Sequence, residues 1–585
     1  MSDPVLESVL IANRGEIAVR IIRTAREMGL RTIAVYSELD RDALHVELAD
    51  EAWAIGGAPA AESYLDMDKV LAVAHESGAA AVHPGYGFLA ENAEFARRVI
   101  DAGLAWVGPP PAAIRTMGDK ISSRLAAIEA DVPTVPGTTE PLRDVDEIAA
   151  VVEEYGYPVA IKAAHGGGGK GLRVVWSDAG LADAFEGARR EADAYFGNPE
   201  VYVERYLERP RHVEAQVLFD DHGNALFLGE RDCSVQRRHQ KLIEETPSPG
   251  LSDEVREALG EASLRVGLAC GYRNAGTVEF LLDADGRHFY FLEMNTRLQV
   301  EHTVTEMVTG VDLVAEQLRI AAGLPMSVTE VAPTGHAIEL RINAEDPVAG
   351  FVPSPGTVTD YREPAGIGVR VDSWMRPGAT ISQYYDNLMA KLVVWAPDRP
   401  GAIARALRAV DEYQVTGVAT TLPAHRHVLG HPDFVAGTHH TKWMEDAVDL
   451  GHLAHELAPA VPEEEAEVER SMTVEVGGRR FAVRFWAPAP IDAGPGAQRR
   501  RPPARRTSGS RSGANDGIVV APMQGTIVKL SVAAGETVEA GDPLLVLEAM
   551  KMENEVTAPL GGEVVELRVQ PGDTVAPGEV MAVIR

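Results

Sequence analysis

The chain has 585 residues, of which 45% are hydrophobic and 24% charged, the mix of a folded protein of several domains. Its 55 Lys and Arg stand against 87 Asp and Glu, a formal net charge of −32. A field of that sign repels phosphate backbones and anionic lipid heads, which argues against a nucleic-acid or membrane-surface protein. Cys233 and Cys270 form no C-x-x-C pair, which points to a reducing compartment without a zinc framework. Both are expected as small buried hydrophobes. The first residues carry no presequence pattern, and no stretch reaches the roughly 18 unbroken apolar residues of a membrane span. A cytoplasmic protein is expected.

In chain order, Ser8–Ala12 reads as a strand, Asn13-Arg-Gly-Glu16 as a loop, and Ile17–Met28 as a helix with apolar residues at helical spacing. Gly29 ends that helix and Arg31–Tyr36 supplies the next strand. Helical Met67–Ser77, the run Ala79–His83 and Val107 continue the alternation, which predicts a parallel sheet covered on both faces. This first domain is placed at residues 1–117. Residues 118–335 keep the α/β style but are broken by Gly-rich and charged constellations, and 336–450 are richer in short strands and turns. In 451–513, Met472–Val476 and Arg479–Trp486 flank Gly477-Gly478 and predict a hairpin, followed by a Pro-, Gly-, Ser- and Arg-rich tether. The arginines of that tether are read as a solvated face.

The segment 514–585 contains a repeat. Ala521-Pro-Met-Gln-Gly-Thr-Ile-Val recurs from Ala558 as Ala-Pro-Leu-Gly-Gly-Glu-Val-Val, and Gly535, Val538, Gly541 and Val546 recur as Gly572, Val575, Gly578 and Val583. Two copies of one strand-and-turn pattern predict two half-sheets related by a quasi-dyad, each covering the other's apolar face. Between them lies Glu548-Ala-Met-Lys-Met-Glu-Asn554, with Lys551 at the expected hairpin tip. A lysine between two methionines is odd chemistry for a turn. The pattern resembles the biotinyl domain of biotin-dependent carboxylases, in which such a lysine carries biotin. Lipoyl domains share that fold but usually place Asp-Lys-Ala at the tip.

Upstream, Lys162-Ala-Ala-His-Gly-Gly-Gly-Gly-Lys-Gly171 follows the apolar run Pro158–Ile161. Consecutive glycines let a backbone close over phosphates and aim its N–H groups at them. No Gly-Lys-Ser/Thr opens a helix here, so this is not a Walker loop. Glu279, Glu293 and Asn295 fall on predicted strands, and two carboxylates with an amide oxygen suit a hard cation such as Mg²⁺. A solvated ion-pair reading of those residues competes on equal terms.

Four further motifs complete the pattern: Ile11–Ala18, His83–Asn92, Glu230–Lys241 and Glu293–His302. Together with the carrier lysine they resemble the ATP-grasp fold in its biotin carboxylase branch, and the short bacterial, particularly actinobacterial, α subunits of biotin-dependent acyl-CoA carboxylases. The implied fold class is α/β multidomain. A Rossmann-like N-terminal domain, an ATP-grasp domain and a mixed C-terminal carboxylase domain would precede a flattened all-β biotinyl/lipoyl-type barrel. The resemblance implies that Lys120, Lys162 and Gly166, Gly167, Gly168 and Gly169 hold ATP phosphates. Glu204 and Leu207 would meet the adenine edge, and His212, Gln236 and His239 would line the ribose side. Glu279, Glu293 and Asn295 would carry Mg²⁺, with Mn²⁺ as a substitute. Lys241, Arg297, Gln299 and Val300 would place bicarbonate, Glu301 would be the general base, and Arg341 would face biotin.

The same resemblance implies partners. Biotin protein ligase would load Lys551, and a separate carboxyltransferase β subunit would carboxylate a short-chain acyl-CoA, acetyl- or propionyl-CoA. Assembly would use α–α contacts or a large α/β hetero-oligomer. Relatives with longer α subunits place a sizeable docking domain between the modules, whereas 451–513 offers one evident hairpin. Two rival readings are a carbamoyl-phosphate synthetase-like ligase and a lipoyl-type acyl carrier with a degenerate ATP module.

Overall fold

The computed structural model describes residues 6–138, 140–163, 173–196, 198–451, 453, 467–476, 479–488, 517–521, 525–549, 552–575 and 578–585. Two compact units divide the chain, one spanning Met1–Val448 and the other made of Asp449–Glu548 and Glu553–Arg585.

The first unit opens with a parallel sheet of β1 (Ser8–Ile11), β2 (Arg31–Ser37), β3 (Glu51–Gly56), β4 (Ala81–His83) and β5 (Ala105–Trp106), in the order β3-β2-β1-β4-β5. Strands buried on both faces read as unbroken apolar runs, and Val9, Leu10, Ile11, Ile33, Ala34 and Val35 are all fully enclosed. The first helix, Gly15–Glu27, starts two residues before the predicted Ile17, because Gly15 takes the left-handed φ of +67° that lets the chain turn straight out of the strand. The strand order reverses beside β1, and a ligand crevice belongs at such a switch point. There Asn13 Nδ2 donates to Pro84 O and Tyr86 O, both at 2.7 Å, binding two loops into one rim.

Further along lie β6 (Val159–Ala163), β7 (Arg173–Val175) and β8 (Val201–Arg205), which pair as β7-β6-β8. A larger antiparallel sheet holds β9 (Arg211–Phe219), β10 (Ala225–Arg237), β11 (Gln240–Thr246), β12 (Asn274–Leu282), β13 (Phe289–Asn295) and β14 (His336–Asn343). Its order is β13-β12-β9-β10-β11-β14, continued by strands Leu388–Ala396 and Val369–Ser373. The sheet runs unbroken past Gly335 through the pairing of Glu244 with Glu339.

The period of two sorts this sheet into faces. Val213, Ala215, Val217, Val278, Phe280, Leu282 and Met294 pack on Val255, Leu259, Ala262 and Val266 of helix Asp253–Ala269. The intervening residues, His212, Glu214, Gln216, Thr277, Glu279, Glu293 and Asn295, share the other face. Among the described residues no helix is long and apolar enough to cross a membrane. Cys233 is buried and Cys270 half-buried, both as free thiols.

In the second unit the hairpin strands Glu467–Val476 and Arg479–Pro488 pair in register from Val476↔Arg479 to Glu467↔Pro488, longer than predicted. Gly477-Gly478 lies outside the described residues. The repeat appears as two four-stranded sheets that exchange under one symmetry. In one, Gly525–Leu530 pairs with Pro543–Ala549 through Leu530↔Leu545, Lys529↔Val546 and Ile527↔Leu547. In the other, Gly562–Leu567 pairs with Val580–Ile584 through Leu567↔Ala582, Glu566↔Val583 and Val564↔Ile584, with the register shift at the same place. The crossing bonds are equally symmetric: Ala521 N donates to Glu579 O and Ala558 N to Asp542 O, both at 2.8 Å. Lys551 lies outside the described residues. The strands on either side of it, Pro543–Ala549 and Met552–Thr557, are neighbours in one sheet.

Candidate active site

The polar face of the large sheet forms one wall of a cavity of about 720 Å³, closed by Tyr86, Gly87 and Glu91 from the first sheet's rim and by Glu204–Leu207 from β8 and its exit. Lys162, Glu204, Leu207, His212, Gln236, His239, Lys241, Glu279, Glu293, Asn295, Arg297, Gln299, Val300, Glu301 and Arg341 all line it. Lys120 borders a separate small hollow with Arg124 and Tyr202, at the start of helix Lys120–Glu129. Gly166, Gly167, Gly168 and Gly169 lie outside the described residues.

Register explains the wall. Glu214, Glu279 and Glu293 stand in one row across β9, β12 and β13. Like charges directly opposite one another are unfavourable unless a cation intervenes. Lys241 supplies it: its Nζ donates to Glu214 Oε2 at 2.7 Å, to Glu279 Oε1 at 2.9 Å and to Glu301 Oε1 at 2.7 Å. Burial works against the Lys241 charge, but those three carboxylates outweigh it and hold the ammonium well above its usual range. The buried groups His212–Glu214–Glu279 and Glu214–Cys233–Glu301 have metal-like spacing. Both converge on Lys241, which already provides the positive charge.

Glu301 immediately precedes helix His302–Thr309, its side chain making no capping bond, and is 2% exposed. Its second oxygen accepts from Arg341 Nη2 at 2.8 Å. Burial would raise its pKa, yet Lys241 and Arg341, with Arg231 behind them, hold the carboxyl well below the ordinary range. Arg341 also donates through Nε to Glu244 Oε1 at 2.5 Å. Burial, opposed by Arg341 and helped by the Glu301 charge, pushes Glu244 up to about 7. Among the described residues its other oxygen finds no partner, a place for that proton.

Arg297 is aimed by its neighbours. Its Nε donates to Glu91 Oε2 at 3.0 Å and its Nη2 to Asn295 Oδ1 at 2.8 Å. At the opposite end, Arg238 and His239 turn the β10–β11 hairpin with φ of +47° and +66°. Two non-glycine residues in the left-handed region cost about 1–3 kcal/mol each, the kind of strain found where a side chain is held for use. Lys162 pairs with Glu204. His212 Nε2 lies 2.8 Å from Glu279 Oε2, and that carboxylate keeps the imidazole's pKa raised against the effect of burial.

The donor set at the row's edge fits a hard divalent cation. Desolvation in the pocket and the Glu279 charge push the Glu293 carboxyl above its usual range, a repulsion that Mg²⁺ between them would relieve. Asn295 Oδ1 has a second lone pair available beyond the Arg297 bond.

Four contributors were not singled out from sequence. Arg231, fully enclosed, donates to Glu214 at 2.5 Å, Gln216 at 2.8 Å, Thr305 at 2.9 Å, and Thr277 and Gln299 at 3.2 Å each. Glu214, Glu244 and Glu91 complete the ion network. The alternation of His212, Glu214 and Gln216 between apolar residues was the available signal for the first of these: a strand with a polar face that packing keeps dry.

The model of the biotin carboxylase N-terminal domain matches residues 5–114, and that of the biotin carboxylase C-terminal domain matches 339–446. Between them, 119–329 match the ATP binding domain of the carbamoyl-phosphate synthase L chain, and 518–584 match the biotin-requiring enzyme family. A biotin-dependent acyl-coenzyme A carboxylase alpha3 subunit of Mycobacterium leprae is 49% identical over 565 residues, covering 94% of each chain. The propionyl-CoA carboxylase alpha chain of Ruegeria pomeroyi is 40% identical over 93% of this chain and 95% of its own. A biotin carboxylase–βγ-ATP complex from Campylobacter jejuni superposes with a TM-score of 0.72 at 43% identity, covering 76% of this chain and all (100%) of that one. The biotin carboxylase domain of Hydrogenobacter thermophilus 2-oxoglutarate carboxylase, solved with MgADP, ADP and bicarbonate, gives 0.70 at 46% identity over 75% of this chain and 97% of that one. With a carboxylase matched on both flanks of its ATP-binding segment and a biotinyl domain at its end, the chain belongs to the α subunits of biotin-dependent acyl-CoA carboxylases, and is a biotin carboxylase.

Proposed function

We propose that the chain carboxylates biotin borne on Lys551, using ATP and bicarbonate through carboxyphosphate, and serves a separate carboxyltransferase subunit acting on acetyl- or propionyl-CoA. The observation that carries this reading is Glu301 splinted between Lys241 and Arg341 on the wall of one cavity. The ATP phosphates are assigned to Lys162, to Gly166–Gly169 and to Lys120, which borders the separate hollow. Glu204 and Leu207 meet the base, and His212, Gln236 and His239 the ribose. Glu279, Glu293 and Asn295 would hold Mg²⁺, which when bound would supply charge to offset that of the γ-phosphoryl oxygens.

Arg297, Gln299, Val300 and Lys241 place bicarbonate, Arg297 by the planar fork that matches a carboxylate-like anion. Glu301 takes the bicarbonate proton as a bicarbonate oxygen attacks the γ-phosphorus and the bond from that phosphorus to ADP breaks, giving carboxyphosphate and ADP. A carboxylate held so low by two cations is a weak base. It gains basicity once Lys241 and Arg341 turn toward the incoming anions, so the network itself ties proton transfer to substrate binding. Arg341, aimed by Glu244, would face biotin when it is bound and would supply positive charge to the group that accepts the carboxylate.

Intact mass should show one biotin-sized increment, placed on Lys551 by fragmentation, after co-expression with a biotin protein ligase. ADP release should require bicarbonate and biotin together. ATP cleavage indifferent to bicarbonate overturns the reading, and a co-purifying carboxyltransferase assayed across acyl-CoA lengths fixes the acyl group. A milder effect is expected at Glu91, which is half in solvent. Glu91→Ala should raise KM for bicarbonate by no more than about fivefold with kcat nearly unchanged, because a screened pair is worth under about 1 kcal/mol.

A further inference from the structure

Lys391, on strand Leu388–Ala396, is wholly enclosed, and the chemistry above gives it no task. Three segments distant in sequence converge on its ammonium. Nζ donates to the Val300 carbonyl at 3.0 Å, lies 3.2 Å from Glu16 Oε2 on helix Gly15–Glu27, and lies 4.0 Å from Asp372 Oδ2 on strand Val369–Ser373. The ring of Tyr86, a residue of the cavity wall, is centred 5.9 Å away.

A buried ion pair is weak evidence for stability, since apolar residues of similar volume often do as well or better. The compensation here is incomplete. Oε2 of Glu16 has the 3.2 Å approach of Lys391, Oε1 finds no partner among the described residues, and burial, against the pull of Lys391, pushes Glu16 up to about 7. The one hydrogen bond that Lys391 makes well goes to Val300. That carbonyl belongs to an irregular stretch between β13 and helix His302–Thr309, where no ladder sets the backbone. The preceding carbonyl, of Gln299, is met by His302 Nδ1 at 2.7 Å. Two successive carbonyls are thus held from the buried side, while the side chains between them line the cavity. The Val300–Glu301 peptide plane sets where Glu301 emerges, and Glu301 must reach both Lys241 and Arg341.

We propose that Lys391 is a positioning residue which, from outside the cavity, pins the Val300 carbonyl and thereby sets the Gln299–Glu301 segment for bicarbonate and for proton removal. This rests on the role given above to that segment.

Two variants of the full chain test it. Lys391→Met keeps volume and removes the donor, and Glu16→Gln with Lys391→Met also removes the stranded carboxylate. Both should accelerate hydrogen exchange of the amides of 299–303 at least about tenfold, with Asn274–Leu282 unchanged. Both should raise KM for bicarbonate at least about tenfold while KM for ATP stays within about twofold. The double variant should regain melting temperature without regaining either of those. If KM for bicarbonate recovers together with stability, or if exchange of 299–303 stays at the wild-type rate, Lys391 serves the fold alone and the proposal fails. If wild-type ATP cleavage ignores bicarbonate, the functional reading fails instead, and the exchange measurement still decides whether Lys391 anchors the segment.

Discussion

Glu301→Gln is expected to slow bicarbonate-dependent ATP cleavage by about 10²–10⁴-fold, the usual worth of a positioned base, while leaving KM for ATP nearly unchanged. The amide is isosteric and still accepts from Arg341, so geometry survives while basicity is lost. It cannot satisfy Lys241 as a carboxylate does, which leaves that ammonium to Glu214 and Glu279 alone. Lys241→Met should therefore cost little more in the double variant than in either single one, since the two residues act as a unit. Additive losses would separate their roles and remove Glu301 as the base.

The same variant has a pH signature. Glu301 is depressed in the folded protein, so its charge contributes stability above the ordinary carboxylate pKa of about 4.3, lost only under strongly acid conditions. Glu244 runs the other way. With its folded pKa pushed up to about 7, stability falls as pH rises from the ordinary value toward 7, and levels off beyond. Glu301→Gln removes the charge that helps hold Glu244 up. The decline in melting temperature between those limits should become shallower and end at lower pH than in the wild type. An unchanged slope would mean that Glu244 does not sense Glu301.

How far could the sequence lead? The alternation of Ser8–Ile11, Gly15–Glu27 and Arg31–Ser37 was legible within two residues, because buried parallel strands are written as continuous apolar runs. The carrier repeat was legible to the single residue, since Ile527 and Val564 recur at the same register position with the same following bulge. Residues held by backbone chemistry announced themselves in this way. Side chains defined by their row across a sheet did not. Glu214 lies far in sequence from Glu279 and Glu293, and only the pairing β9–β12–β13 makes them one acidic row. Arg231 sat in plain view inside the Glu230–Lys241 motif, yet nothing local says that its five donors serve five residues on four segments. Lys391 was beyond reach for the same reason: a lysine in an apolar strand reads as a packing error until Val300 and Glu16 are brought to it.

Arg231→Met should be the most damaging substitution to the fold at this site. Glu214, Gln216, Thr277, Gln299 and Thr305 are all buried, and each loses a partner at once. Removing one member of a buried ion pair costs about 3–5 kcal/mol, chiefly because the other charge stays behind without water. Glu214 then has a single cation left. In the wild type its Oε1 belongs to Arg231 and its Oε2 to Lys241, so the variant turns Lys241 from a ligand shared among three carboxylates into the main counterion of one. Its availability to a substrate anion falls with it. Thermal inactivation should move to markedly lower temperature, and KM for bicarbonate should rise even where the protein is still folded. Adding Glu214→Gln removes the stranded charge and should return about half of the lost stability, because buried amide and hydroxyl groups are cheaper to leave unpaired than a carboxylate. If the second substitution lowers stability further, Arg231 is held by its four neutral partners, and the pair with Glu214 is not what the site is built around.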